Sequence, residues 1–164
     1  MKDLNSQFES YYRAYQDMVQ TLCLGYTKGD REQTNDLVQE TFINLWKALP
    51  RFEGRSSPKT WVYRICVNTC LLHIRKQKNK RTETLQGDHL SIAEENRHVK
   101  NYHELYDAIG QLKEVDRIII MLLLDDVPYP DIAEIIGITE GNLRVKISRA
   151  KQRLNKILSH ERRI

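Results

Sequence analysis

The sequence predicts an all-α chain of two helical domains joined by a flexible linker. Three observations carry that expectation. Chain-breaking residues are scarce, with 7 Gly and 4 Pro in 164 residues. Apolar residues recur at helical spacing through most of the length. Charge is segregated into two basic blocks with an acidic stretch between them. A chain of this length makes one large domain or two small ones, and the polar segment from Asn79 to His98 is the natural division. The domains are placed at 4–80 and 102–159, with the linker at 81–101.

The elements follow in order. Phe8, Tyr11, Tyr12 and Tyr15 begin an apolar stripe that Met18, Val19, Leu22 and Leu24 continue, and Lys28-Gly29-Asp30 reads as a turn. A second helix is expected from about Asp36 to Ala48, with Leu37, Val38, Phe42, Ile43, Leu45 and Trp46 on its apolar side. Pro50 ends it. After a loop rich in Gly and Ser comes a long helix from about Lys59 to Lys78, in which Trp61 shares a core register with Ile65 and Leu72. Trp61 also has a second reading, as an aromatic wedge. Beyond the linker, Tyr102, Leu105, Tyr106, Ile109 and Leu112 mark one helix, and the very apolar run Ile118 to Leu124 marks another.

Composition excludes several classes. No apolar run approaches the length of a membrane span, and Met1 to Ser10 lacks the apolar core of a signal peptide, so an intracellular protein is expected. Three cysteines (Cys23, Cys66 and Cys70) leave an odd count, which fits a reducing compartment better than a disulfide framework. The net charge of +4 conceals its distribution. From Gly54 to Thr82 there are eight basic residues and no acidic one; from Gly141 to the end there are eight against the single Glu161. Between Glu83 and Asp126 ten acidic residues face four basic ones. Two basic blocks on helical motifs suit two contacts with one polyanion.

The last sixty residues contain a helix-turn-helix pattern. Pro130 suits a first helical turn, Ile132, Ala133 and Ile136 give an apolar face, and Gly137 permits the reversal. Thr139 is placed to cap the final helix. There Leu143, Ile147, Ala150, Leu154 and Ile157 form one narrow stripe, and Arg144, Val145, Lys146, Ser148, Arg149, Lys151 and Gln152 lie off it. Arginine forks onto guanine and lysine holds phosphate, which is what a major-groove reader requires.

With these motifs in place, the chain resembles the sigma factors of bacterial RNA polymerase. Asp36-Leu37-Val38-Gln39-Glu40-Thr41-Phe42, with Trp46 and Arg51-Phe52-Glu53-Gly54, resembles their polymerase-binding helix. Thr60-Trp61-Val62-Tyr63-Arg64-Ile65-Cys66-Val67-Asn68-Thr69, with Arg75-Lys76, resembles the adjoining promoter-melting helix, and the helix-turn-helix resembles the domain that reads the −35 element. A chain this short has room only for those two domains, as in the extracytoplasmic-function subfamily.

The resemblance implies core RNA polymerase and promoter DNA as partners. It also implies an anti-sigma factor that masks both domains, and a cytoplasmic protein with no cofactor and no membrane insertion. Asp36, Gln39, Glu40 and Ile43 share one helix face and would meet the polymerase. Arg55, Ser56, Lys59, Arg64, Asn68, Arg75, Lys76, Lys78 and Lys80 would serve the −10 element, with Asn68 and Ser56 at the edge of a flipped base and the cations on phosphates. Arg144, Val145, Lys146, Ser148, Arg149 and Lys151 would serve the −35 element. Leu72 stands where many relatives carry an acidic residue, so the preferred −10 base is left open.

Two rival classes are weaker. A stand-alone helix-turn-helix regulator leaves the first eighty residues without a role. An enzyme would need a nucleophile–base set, a phosphate-cradling loop or a metal motif, and the histidines are scattered. Cys66, Cys70 and His73 share a helix face, yet no fourth ligand lies near them in the sequence, so no metal is expected.

Overall fold

The computed structural model describes residues 3–81 and 100–161, apart from the side chains of 81, 100–103 and 161. All its regular elements are helical: α1 (Leu4–Tyr26), α2 (Arg31–Ala48), a 3-10 turn (Leu49–Arg51), α3 (Pro58–Arg81), α4 (Lys100–Gly110), α5 (Glu114–Leu124), α6 (Tyr129–Ile136) and α7 (Glu140–Glu161). Arg81 still belongs to α3 and Lys100 already to α4. Asn101 is likewise in α4, and positions 82–99 of the expected linker lie outside the described residues.

Local chemistry sets the boundaries. Lys28 and Gly29 adopt positive φ (59° and 83°) and turn the chain after α1. Asp30 then accepts a hydrogen bond from the Gln33 amide at 3.1 Å and caps α2. The helix therefore starts at Arg31, a turn and a half before Asp36. The Asp30-x-x-Gln33 spacing is an N-terminal capping pattern, and the polar residues after it conceal the apolar period. Behind the turn, the buried Thr34 hydroxyl meets that of Thr27 at 2.7 Å.

Helices α1, α2 and α3 form a bundle around Val19, Leu22, Leu37, Leu45, Val62 and Val67. The core line of α3 runs through Val62, Cys66, Cys70 and Ile74. Leu72, expected in the core, is instead 47% exposed, because it falls two positions beyond Cys70, off that line. Trp61 is half-buried and stacks on Phe52 with ring centroids 4.3 Å apart, while Tyr11 meets it edge-on. The pair pins the loop after the 3-10 turn against α1 and α3.

The two helical domains pack on one another. One core runs through both of them, and α5 explains how. Every residue from Asp116 to Leu122 is buried, as expected of a helix apolar on all sides. One side of α5 packs on α4 and α7, and another packs on α1. Met121 fills the space beside Gly25, where a Cβ would stand 2.5 Å from its sulfur. Arg117 donates to the carbonyls of Gly110 (3.2 Å) and Leu112 (3.0 Å), closing the end of α4, and lies over the Tyr26 ring at 5.6 Å. Burial of the guanidinium pushes its pKa down. Helix α6 packs directly on α3.

Candidate nucleic-acid interface

Helices α6 and α7 are joined by a tight turn. Gly137 takes a left-handed φ of 80° as the C-cap, with its amide on the Ala133 carbonyl at 2.9 Å, a conformation that side chains rarely adopt. The Thr139 hydroxyl accepts from the Asn142 amide at 3.2 Å, capping α7 as its sequence position predicts. Leu143, Ile147 and Ala150 are buried, and Leu154 and Ile157 are half-buried. Arg144, Val145, Lys146, Ser148, Arg149, Lys151 and Gln152 are all exposed. Val145 is a large apolar side chain left 49% in solvent on this basic face. Arg153 pairs with the buried Asp116 at 3.2 Å, tying α7 to α5. Arg144 rests over the Tyr129 ring at 5.1 Å, near Glu140.

A second basic surface lies on α3 and the loop before it. Asn68, Arg75, Lys76, Lys78 and Lys80 are exposed, as is Arg55, while Ser56 is half-buried. Arg55 pairs with Glu53 at 2.6 Å. The N-terminal end of α3 is engaged by the other half of the molecule. Lys59 pairs with Asp125 at 3.3 Å, the Tyr63 hydroxyl donates to the same carboxylate, and Arg64 pairs with Glu134 on α6. Desolvation and the carboxylate together push the Tyr63 pKa up. Nothing in the sequence pattern pointed to Asp125 or Glu134 as partners of α3, since the pairing depends on how the halves dock.

On α2, Asp36, Gln39 and Ile43 are exposed and Glu40 is half-exposed, so the four form one accessible face. Ile43 and Trp46, on the expected apolar side of α2, are 47% and 42% exposed, Ile43 as part of the expected docking face. With Phe8, Tyr12, Val38 and Phe42 they line a shallow apolar groove between α1 and α2. Phe8 meets Trp46 edge-on at 5.3 Å. The part played by Tyr12 escapes a sequence reading, because its stripe looks like core until the neighbouring helix is placed. His73 turns away from the thiols of α3 and hydrogen-bonds with the Tyr26 hydroxyl at 3.3 Å. Its burial lowers its pKa.

A helix-turn-helix with an exposed basic face, joined to a bundle carrying a second exposed basic helix, defines a two-part helix-turn-helix protein. Sequence comparison gives the class its name: the description of sigma-70 region 2 matches residues 11–80, and that of sigma-70 region 4 matches residues 102–154. The ECF RNA polymerase sigma-E factor of Haemophilus influenzae is 33% identical over 159 residues, covering 87% of this chain and 83% of that one. The sigma-E factor of Salmonella typhimurium is 30% identical over 157 residues, covering 86% and 81%. The chain belongs to the sigma-70 family of RNA polymerase sigma factors, in its extracytoplasmic-function group. In fold it is similar to the sigma factor RpoE of Bartonella quintana, solved in complex with the anti-sigma factor NepR (TM-score 0.82, 22% identity, 94% of this chain and 98% of that one). It is also similar to CnrH, solved with the cytosolic domain of CnrY (TM-score 0.69, 18% identity, 97% and 91%). Among the described residues no helix is long and apolar enough to cross a membrane.

Proposed function

We propose that this sigma factor docks on core RNA polymerase through the α2 face of Asp36, Gln39, Glu40 and Ile43. In this reading it contacts the −35 element through α7 and opens the −10 element with α3 and its preceding loop. The observation that carries the reading is the pairing, in one chain, of an open helix-turn-helix face with a second exposed basic helix. Duplex recognition by α7 does not itself separate strands, so a second surface must hold the melted strand. On α7, Arg149 is the reader of a base edge, with Arg144, Val145, Lys146, Ser148 and Lys151 around it on bases and phosphates. On α3 and the loop before it, Asn68 reads the edge of a flipped base, helped by Ser56, while Arg55, Lys59, Arg64, Arg75, Lys76, Lys78 and Lys80 hold the backbone.

The division into functional units follows the sequence: 4–80 for polymerase and −10 contacts and 102–159 for the −35 contact. The reading places the protein in the cytoplasm, on the nucleoid when joined to polymerase, and asks no catalytic step of it. The RpoE–NepR complex supports an anti-sigma partner for this chain as well.

Transcription in vitro with purified core polymerase over a randomised promoter library tests the whole reading. Enrichment of one −35/−10 pair, dependent on this protein, is expected. Selection of a palindromic site bound without polymerase would instead make it a stand-alone regulator. Replacing Asp36 and Glu40 with Arg tests the docking face: core capture drops while helicity by circular dichroism is unchanged.

A further inference from the structure

Three thiols converge inside the N-terminal bundle, and none of the surfaces above uses them. Cys23 on α1 and Cys66 and Cys70 on α3 are all buried, and their sulfurs lie within 4.8 Å of one another, with Cys23 and Cys66 at 3.7 Å. Three sulfurs bound to one centre at about 2.3 Å stand roughly 3.5 Å apart if it is pyramidal and roughly 4 Å apart if it is planar. The seat is therefore close to ion-binding dimensions. Its third wall is α2, where the fully buried Thr41 hydroxyl faces the Cys66 sulfur. Small buried thiols commonly serve only as packing. Convergence of three from two helices sets this cluster apart.

The donor set selects the class of occupant. Soft thiolates prefer soft ions. Among the described residues no fourth His, Cys, Asp or Glu joins the group, whereas structural zinc takes four ligands. Among the described residues the largest influences on the three sulfurs are one another, burial and the Thr41 hydroxyl, none of them a cation. A divalent ion on three thiolates would leave an uncompensated negative charge in the core, which is costly. A trivalent ion leaves none.

We propose that Cys23, Cys66 and Cys70 form a site for a trivalent thiophilic element, arsenic(III) or antimony(III), taken up as its neutral hydroxide. In each of three exchanges one S–H proton passes to a hydroxide ligand, the element–oxygen bond breaks, an element–sulfur bond forms and one water leaves. The oxidation state is unchanged and the product is uncharged. Because the incoming hydroxide is neutral, it enters the apolar core without shedding an ionic solvation shell, through local opening of the α1–α3 seam. Once bound, it cross-links α1 to α3, the helix that carries the second basic surface.

The test uses full-length protein reduced with a phosphine and titrated with arsenite. One equivalent should bind, with a mass gain of one arsenic less three protons and a near-ultraviolet thiolate-to-arsenic absorption. Tm should rise with arsenite concentration as ligand linkage requires. Cys66→Ala should abolish the uptake. Should that variant fail to fold, X-ray absorption at the arsenic edge on the unaltered protein decides, with three sulfur neighbours and no oxygen expected. Absence of uptake, a sulfur count of two, uptake that survives in folded Cys66→Ala, or preferential loading of zinc over arsenite would overturn the proposal.

Discussion

Arg149 and Lys151 stand two residues apart on α7, both exposed, and their chemistry separates their expected roles. A forked guanidinium discriminates guanine from other bases, whereas an ammonium holds phosphate as a point charge. Arg149→Ala should therefore cost about 1–3 kcal/mol at the preferred −35 sequence and relax preference at one position. Lys151→Ala should weaken all sequences alike and flatten the salt dependence. Holoenzyme binding to a panel of −35 variants at several salt concentrations distinguishes them; a uniform loss for both would make Arg149 a phosphate clamp. These positions were legible in the sequence because the stripe of Leu143, Ile147 and Ala150 fixes which side of α7 is buried. Leu72 and Trp46 were not legible in the same way. An apolar residue at the margin of a stripe is buried or exposed according to where the next helix lies, and that is a tertiary fact.

At the scale of elements, the start of α2 shows how a boundary is lost and recovered. Periodicity placed it near Asp36, while the cap at Asp30 places it at Arg31. Asp30→Ala removes the acceptor of the Gln33 amide and should cost about 1 kcal/mol, read as a lower midpoint in urea unfolding with an unchanged slope. Core binding should survive, since the proposed docking face begins more than a turn beyond the cap. On α3 the separation is between edge reading and charge. Asn68→Ala should impair open-complex formation and alter preference at one −10 position. Lys78→Ala and Lys80→Ala should weaken promoter binding without changing that preference. Permanganate footprinting on matched duplex and on a pre-melted bubble resolves the two steps. Normal opening with unchanged −10 preference in Asn68→Ala would place the pocket elsewhere.

For the whole molecule, the two expected helical domains are present, and the docking of one on the other is what the sequence reading did not show. The sign was present in the apolar run from Ile118 to Leu124, which is more apolar than one small domain needs. What the run packs against is not written in its own residues. The docked arrangement bears on function because Lys59 and Arg64, two of the proposed strand-holding cations, are paired with Asp125 and Glu134. A cation held by a carboxylate is not available to a phosphate, so the docked state and the strand-bound state compete, and whatever favours one depopulates the other. Exposed pairs of this kind contribute only about 0.2–1 kcal/mol each, so the apolar seat of Met121 beside Gly25 should dominate the docking. A methyl group at position 25 would collide with Met121, but that flexible side chain can swing away; a larger side chain cannot be accommodated without moving α5. Gly25→Leu should therefore separate the halves, increasing the radius of gyration in solution scattering and tightening binding to a single-stranded −10 oligonucleotide. Glu134→Ala should shift both in the same direction by less, and its effect should fade at high salt, where the lost pair is already screened. If Gly25→Leu expands the molecule yet leaves strand affinity unchanged, docking does not restrain α3 and the two cations are dispensable for the melted strand.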